Sequence, residues 1–205
     1  MKAPRAVAPS IVAASVKTAI TDMVQTLQTL GHRVEHRDPN WGQVGAGAAP
    51  RFLAGIADSV AEAPNPERLE PRTHDMARLA GRIPQRLMRR SRSAEAGDAA
   101  RINSIFERFD VLMIPTVGVP PDPIRKWDGK GALRTVIGQS RTHPFGIPFN
   151  YTGQPAAAVP AGFTDDGLPL SVQLVAPPNG EDRLFSLSAQ LEAELRWHEQ
   201  RPPVS

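Results

Sequence analysis

The chain has 205 residues, enough for one domain with a real core or two small ones. Hydrophobic residues at 40% and charged residues at 22% exclude a disordered chain, and a net charge of +3 is too small to imply a nucleic-acid partner. With no cysteine, the chain cannot form a disulfide framework, a thiolate nucleophile or a cysteine-ligated metal site.

Twenty-one prolines, about twice the ordinary share of ~5%, predict many turns and few long uninterrupted elements. At the N-terminus, Lys2 and Arg5 precede an apolar stretch at 11–16, but Pro9 and Lys17 interrupt it, so it does not read as a secretory signal. No apolar run approaches the ~20 residues of a membrane span; a cytoplasmic protein without a membrane partner is expected. A helix starts at Pro9 or Ser10 and carries Val12, Val16, Ile20, Met23, Val24, Leu27 and Leu30 on one face. Gly31 is its stop. Residues 33–37 then read as a short strand with Val34 inward. Residues 38–71 are hard to read: 41–50 is a small, flexible connection and 51–62 is helical. Gly42, Gly45 and Gly47 make no phosphate loop, because no strand precedes them and no Lys-Ser or Lys-Thr follows.

Helical patterns return at 73–80 and from Pro84, whose missing N–H costs little in a first turn. The second of these runs toward Phe109, with an interruption at Gly97. Residues 111–114 are too short for a helix and read as a buried strand. After turn-rich residues 117–131, strands at 156–160 and 170–176 flank Thr164-Asp165-Asp166-Gly167, the pattern of an antiparallel hairpin. Glu181 and Asp182 sit where a helix N-terminus favours negative charge, and Leu184, Leu187, Leu191 and Leu195 follow at helical spacing.

Candidate chemistry is sparse. His32 and His36 are the only close histidine pair, and without a third ligand they do not make a metal site. No metal or cofactor is expected. Arg78, Arg82, Arg86, Arg89, Arg90 and Arg92 form the strongest charge feature, with Arg82, Arg86 and Arg89 near one face if Pro84 permits one helix. They lack interleaved aromatics, so a solvated amphipathic helix explains them more simply than a nucleic-acid surface. Serine chemistry needs a base in reach and backbone donors for the oxyanion. No G-x-S-x-G elbow occurs. Ser140 is the only serine near glycines, and none of the lysines, Lys2, Lys17, Lys126 and Lys130, lies in an apolar segment.

Three segments carry a family resemblance. Residues 109–116, FDVLMIPT, are similar to an "FDVLLTPT" segment; 145–160, FGIPFNYTGQPAAAVP, to "F-T-x-P-x-N-x-T-G-x-P-A-x-x-V-P", with Gly146 replacing threonine. Residues 167–176 and the helix after them are similar to "G-L-P-x-G-x-Q-L-V" and a closing helix, with Ser171 replacing glycine. Together with the opening helix–Leu-Gly-His unit and the stretch to Pro203, these resemble the C-terminal half of the amidase signature family.

The resemblance implies an α/β class, a partial amidase-signature-type fold with a mixed β-sheet flanked by helices, and residues 1–205 as a single domain that is the C-terminal portion of an amidase domain. Family members hydrolyse carboxylic amides, or transfer their ammonia, with a Ser–cis-Ser–Lys triad from a Gly/Ser-rich core. That core would precede Met1, so no catalytic residue carries over and the chain is expected to be inactive alone. What carries over is one wall of a substrate pocket, made by His143, Phe145 and Asn150. His143 stands where glutamine-using relatives place an aspartate, which argues against a glutamine amidotransferase. The implied partners are a small-molecule amide, once a signature half completes the site, and either a complementing polypeptide or a second copy of the chain. A non-catalytic assembly module pairing through an unprotected sheet edge is the alternative, and a basic nucleic-acid binder is the less favoured third.

Overall fold

The structure, a computed structural model, describes residues 3–4 and 9–200. The proposed junction at Met1, the charges of Lys2 and Arg5, and the end of the resemblance at Pro203 lie outside the described residues.

Helix α1 spans Ala14–Thr29, beginning later than the expected start at Pro9 or Ser10, and buries Val16, Met23 and Leu27 of the predicted stripe together with Ala19. Gly31 stops it with φ +90°: its N–H bonds Gln28 O and the next N–H, from His32, bonds Leu27 O, both at 3.0 Å. The strand expected at 33–37 is absent. Val34 does turn inward, but Glu35 is held through its side chain by Arg33 and by Arg108, at 2.5 and 2.9 Å, and the backbone finds no ladder.

The flexible connection expected at 41–50 is largely helix: α2 runs Val44–Glu62 with Pro50 inside it. Gly45 and Gly47 are helical residues, not loop residues, and at Gly47 the helix is pressed against a neighbour. A Cβ on Gly47 would lie 2.5 Å from the Tyr151 hydroxyl. Helices α3 (Pro71–Ala80) and α4 (Gln85–Asn103) follow. Pro84 caps α4 in extended backbone rather than entering its first turn, which leaves Arg82 outside the helix and off the face of Arg86 and Arg89. The helix passes Gly97 without interruption and ends in a 3₁₀ turn at Ser104–Glu107.

Strand β1 (Leu112–Pro115) leads through the turn-rich segment to α5 (Ala132–Thr142) and α6 (Gly146–Thr152), two helices that the sequence pattern alone does not announce. The hairpin β2 (Ala156–Phe163) and β3 (Pro169–Val175) and the closing helix α7 (Glu181–Leu195) stand where expected.

The sheet has the order β1-β3-β2, and both ladders are antiparallel; no parallel pair occurs among the described residues. Register sets two faces. Met113, Leu174 and Ala157 lie in one row, and with Val172 and Val159 they pack on Met23 and Leu27 of α1 and Leu184 and Leu191 of α7. On the opposite face Leu112, Ile114 and Val175 pack under Trp41, Val44, Ile102, Phe145 and Phe149. Helices therefore flank the sheet on both sides, as an α/β fold requires. The second cover is incomplete. Ala156 and Ala158, which share the rows of Val175 and Gln173, are exposed.

Candidate functional site

The uncovered part of the sheet lies beside α6. Pro144 and Phe145 are buried at the start of this helix, Phe149 and Tyr151 point into the core, and Gly153 ends it with φ +79°. This alternation leaves Asn150 outward, over the bare rows of β2 and β3. Between them opens a cleft of about 300 Å³, lined by Gly146, Phe149, Asn150 and Gln154 on the helix side and by Ala156, Ala158 and Gln173 on the sheet. Gly146 keeps the helix side low. A Cβ there would be 3.9 Å from Asn150 Nδ2, within ordinary contact, so a larger side chain would narrow the cleft.

The lining is polar but carries no charge. Its polar groups are three side-chain amides: Asn150, Gln154 and Gln173. Such a surface offers donors and acceptors in equal measure and suits a neutral ligand better than an ion, whose lost hydration nothing here would replace.

Of the three residues assigned to a pocket wall by resemblance, only Asn150 lines the cleft. Phe145 is 0% exposed and belongs to the core under β1, where it supports α6 from behind. His143 caps the C-terminus of α5 and is exposed; its Nδ1 lies 2.8 Å from Thr142 Oγ1 and 3.3 Å from Gln139 O. Its charge reaches Asp122 in the preceding turn-rich segment. That carboxyl is held below its ordinary value of 3.8 chiefly by a hydrogen bond from Lys126, assisted by Trp127 Nε1–H at 2.8 Å and opposed by desolvation.

Neither Gln173 nor Gln154 was assigned to the pocket wall, although Gln173 is the glutamine of the "G-L-P-x-G-x-Q-L-V" segment. The signal was a lone glutamine in the apolar strand 170–176, where alternation makes it inward-facing like Val175. Gln154 reads as part of a turn motif until α6 is seen to end beside it.

Other candidates resolve differently. Ser140 lies inside α5 and spends its hydroxyl on Ile137 O at 2.9 Å. His32 meets Gln190 at 2.9 Å, and no group of three His, Asp or Glu residues gathers to hold a metal among the described residues. A wider hollow of about 780 Å³ lies between α2 and α3, but its His74 and Arg78 are engaged with Pro66 O and Asp75. Arg82, Arg86, Arg89, Arg90 and Arg92 are exposed, and none has a carboxylate partner among the described residues. No helix of the described residues is long and apolar enough to cross a membrane.

Comparison with known proteins gives this geometry its context. The family profile Amidase matches residues 6–185. "Putative amidase AmiB2" of Mycobacterium tuberculosis strain H37Rv is 41% identical over 180 residues, covering 87% of this chain and 39% of that protein. The 6-aminohexanoate-cyclic-dimer hydrolase of Paenarthrobacter ureafaciens is 38% identical over 103 residues, 47% of this chain and 21% of that one. The chain thus spans well under half the length of these relatives. Among solved structures, a 6-aminohexanoate cyclic dimer hydrolase complexed with substrate superposes with a TM-score of 0.79 at 24% identity, over 98% of this chain and 50% of that one. A bacterial aryl acylamidase of the amidase signature enzymes gives 0.73 at 18% identity, over 95% and 44%. On the family match over most of its length, and with a fold that follows the same enzymes, this chain belongs to the amidase signature family of hydrolases.

Proposed function

We propose that this chain is the C-terminal portion of an amidase domain and supplies a wall of its substrate pocket. A signature half carrying the Ser–cis-Ser–Lys triad would complete it for hydrolysis of carboxylic amides to carboxylate and ammonia. Alone, the chain would be inactive. The observation that carries this reading is the half-covered sheet face: helices seal its β1 side, while Ala156, Ala158 and Gln173 floor an open cleft beside Asn150. A face so open in the isolated chain is where a second half would close a pocket. Asn150 then contributes a polar rim, Phe145 fixes α6 from the core, and His143 presents a ring to the acyl side of the substrate.

The division of labour follows from the chemistry. A serine nucleophile needs its base within hydrogen-bonding reach and backbone donors placed for the oxyanion. Here the best-placed serines are spent within the fold: Ser140 bonds a carbonyl of its own helix and Ser91 bonds Gly47 O across two helices. The test is ammonia release. The chain alone should release none above a heat-killed control from aliphatic, aryl or cyclic amides, whereas the chain mixed with a separately expressed signature half should. Release by the chain alone would overturn its inactivity, and a mixture that associates yet stays silent would overturn its role as a pocket wall.

A further inference from the structure

The carboxylates nearest in sequence to the first turns of α4 are already taken. Arg51 holds Glu95, Arg101 holds Asp98 at 2.6 Å, and Arg78 holds Asp75. Arg86, Arg89 and Arg90 of those first turns are exposed and have no carboxylate partner among the described residues; Arg92 on their flank has none either. Spacings of three and four set Arg89 and Arg90 beside Arg86, about 5–6 Å away at Cβ. They stand on the face opposite the buried Ser91, Asp98 and Ile102. The backbone adds to their field. Helix α4 has no acidic residue in its first turn and no side-chain cap, because its N-cap is Pro84. A helix N-terminus carries partial positive charge and favours anions, so the guanidinium groups gathered here repel one another and the helix end alike. Nothing among the described residues relieves that repulsion.

The shape of the strip narrows what would relieve it. From Arg86 to Arg92 it runs about 9 Å along the helix at 1.5 Å per residue. It is one helix face wide, the dimensions of two turns of a facing helix rather than of a duplex or a vesicle. Residues 82–93 include no aromatic side chain to stack on bases, and Leu87 is their one exposed large apolar side chain, too little to enter a bilayer. Guanidinium forks match carboxylates in pairs of parallel hydrogen bonds, a geometry that lysine does not offer. We propose that the N-terminal face of α4 is a docking surface for an acidic polypeptide segment, a helix whose glutamates or aspartates recur at three- and four-residue spacing. Gln154 of the cleft bonds Asn103 at the far end of α4, roughly 20 Å from Arg89 along the helix. The surface is therefore distinct from the pocket wall and does not rest on that reading.

Fluorescence anisotropy on the full chain tests this. The probe is a dye-labelled, N-acetylated alanine peptide with glutamates at alternating three- and four-residue spacing. Its glutamine counterpart, a short DNA duplex and phosphatidylserine vesicles are the comparisons. The glutamate peptide should bind and the glutamine peptide should not, and raising NaCl from about 0.05 to about 0.3 M should weaken binding several-fold. At about 0.15 M NaCl the duplex and the vesicles should bind less tightly than the glutamate peptide. Arg89→Gln combined with Arg90→Gln should weaken binding about five- to tenfold, as two exposed charge pairs are lost. Arg134→Gln combined with Arg141→Gln removes the same charge from exposed positions of α5 and should leave binding unchanged. Glutamine suits a helix, and the salt dependence is read on the unsubstituted chain, so the test does not hang on a variant's folding. No binding of the glutamate peptide, equal binding of the glutamine peptide, binding insensitive to salt, tighter binding of duplex or vesicles, or equal loss in the two double variants would overturn the proposal.

Discussion

Gly47 and Gly97 both sit inside helices, and the same substitution should act on them in opposite directions. Alanine is favoured over glycine in a helix by about 1 kcal/mol. At Gly97 nothing lies within 4 Å of a new Cβ, so Gly97→Ala should stabilise the chain by about 0.5–1 kcal/mol. At Gly47 the new Cβ would meet Tyr151 Oη at 2.5 Å, and that ring cannot swing away because its hydroxyl donates to Ser91 O at 2.9 Å in a buried site. Overpacking costs about 1–3 kcal/mol, which exceeds the propensity gain, so Gly47→Ala should lower the urea midpoint while Gly97→Ala raises it. Tyr151 also titrates abnormally: burial first, then the nearby Asp98 carboxylate, raise its pKa above the ordinary 10.0. The unfolded chain therefore releases this proton before the folded one does. The stabilisation is complete below pH 10.0 and is lost as pH rises from there through the raised folded value. Alkaline urea titrations should show this decline in the parent and a shallower one in Tyr151→Phe; equal slopes would remove the ring's ionisation as its cause.

At the scale of elements, the turn-rich segment before α5 is held by a clasp. Trp127 donates to Asp122 at 2.8 Å, Lys126 bonds the same carboxylate at 2.5 Å, and the indole lies flush on α5 at Gly138, where a Cβ would fall 2.0 Å from the ring. The lowered pKa of Asp122 means that the clasp's charge contribution is present above the ordinary 3.8 and is lost as pH falls below it through the folded value. Lys126 is 45% exposed, so solvent screening limits this contribution to about 1 kcal/mol or less. Asp122→Asn should accordingly flatten the acid limb of the stability curve by a small amount. Gly138→Ala should act more strongly and at every pH, since the ring must leave α5, and tryptophan fluorescence should report its exposure. An unchanged emission spectrum in Gly138→Ala would count against the packing role of Trp127.

For the whole molecule, the informative experiment is completion. On the proposed reading, a signature half that associates with this chain should recover amide hydrolysis, because one half would bring nucleophile, base and oxyanion donors while the other would fix the substrate against them. Orientation of reactants is worth several kcal/mol, on the order of 7–11 in well-ordered cases, so a loosely held wall should appear as a lower kcat. In that complex His143→Ala should change the ranking of amides by kcat/KM more than it changes the urea midpoint. His143 is exposed and its contacts are to its own helix end, so folding has little to lose. Unchanged kcat/KM for every amide would reduce His143 to a helix cap.

The opening helix with its glycine stop, β1, the β2–β3 hairpin and the closing helix were legible in the sequence, because each is specified by local periodicity or by a turn residue within a few positions. The resemblance to amidases was legible for a related reason, since its motifs sit in those same short segments. Three features were decided only by tertiary packing. Residues 41–50 look like a loop until Tyr151, a hundred residues away, supplies the surface that makes glycine the right helical residue at position 47. Residues 33–37 look like a strand until no ladder partner comes to meet them. The cleft itself depends on which rows of the sheet α6 leaves bare, a matter of register between β2 and β3 and of where Gly153 ends the helix. Periodicity determines which side of an element is apolar; only the packed structure determines whether another element arrives to cover it, and over Ala156 and Ala158 none does.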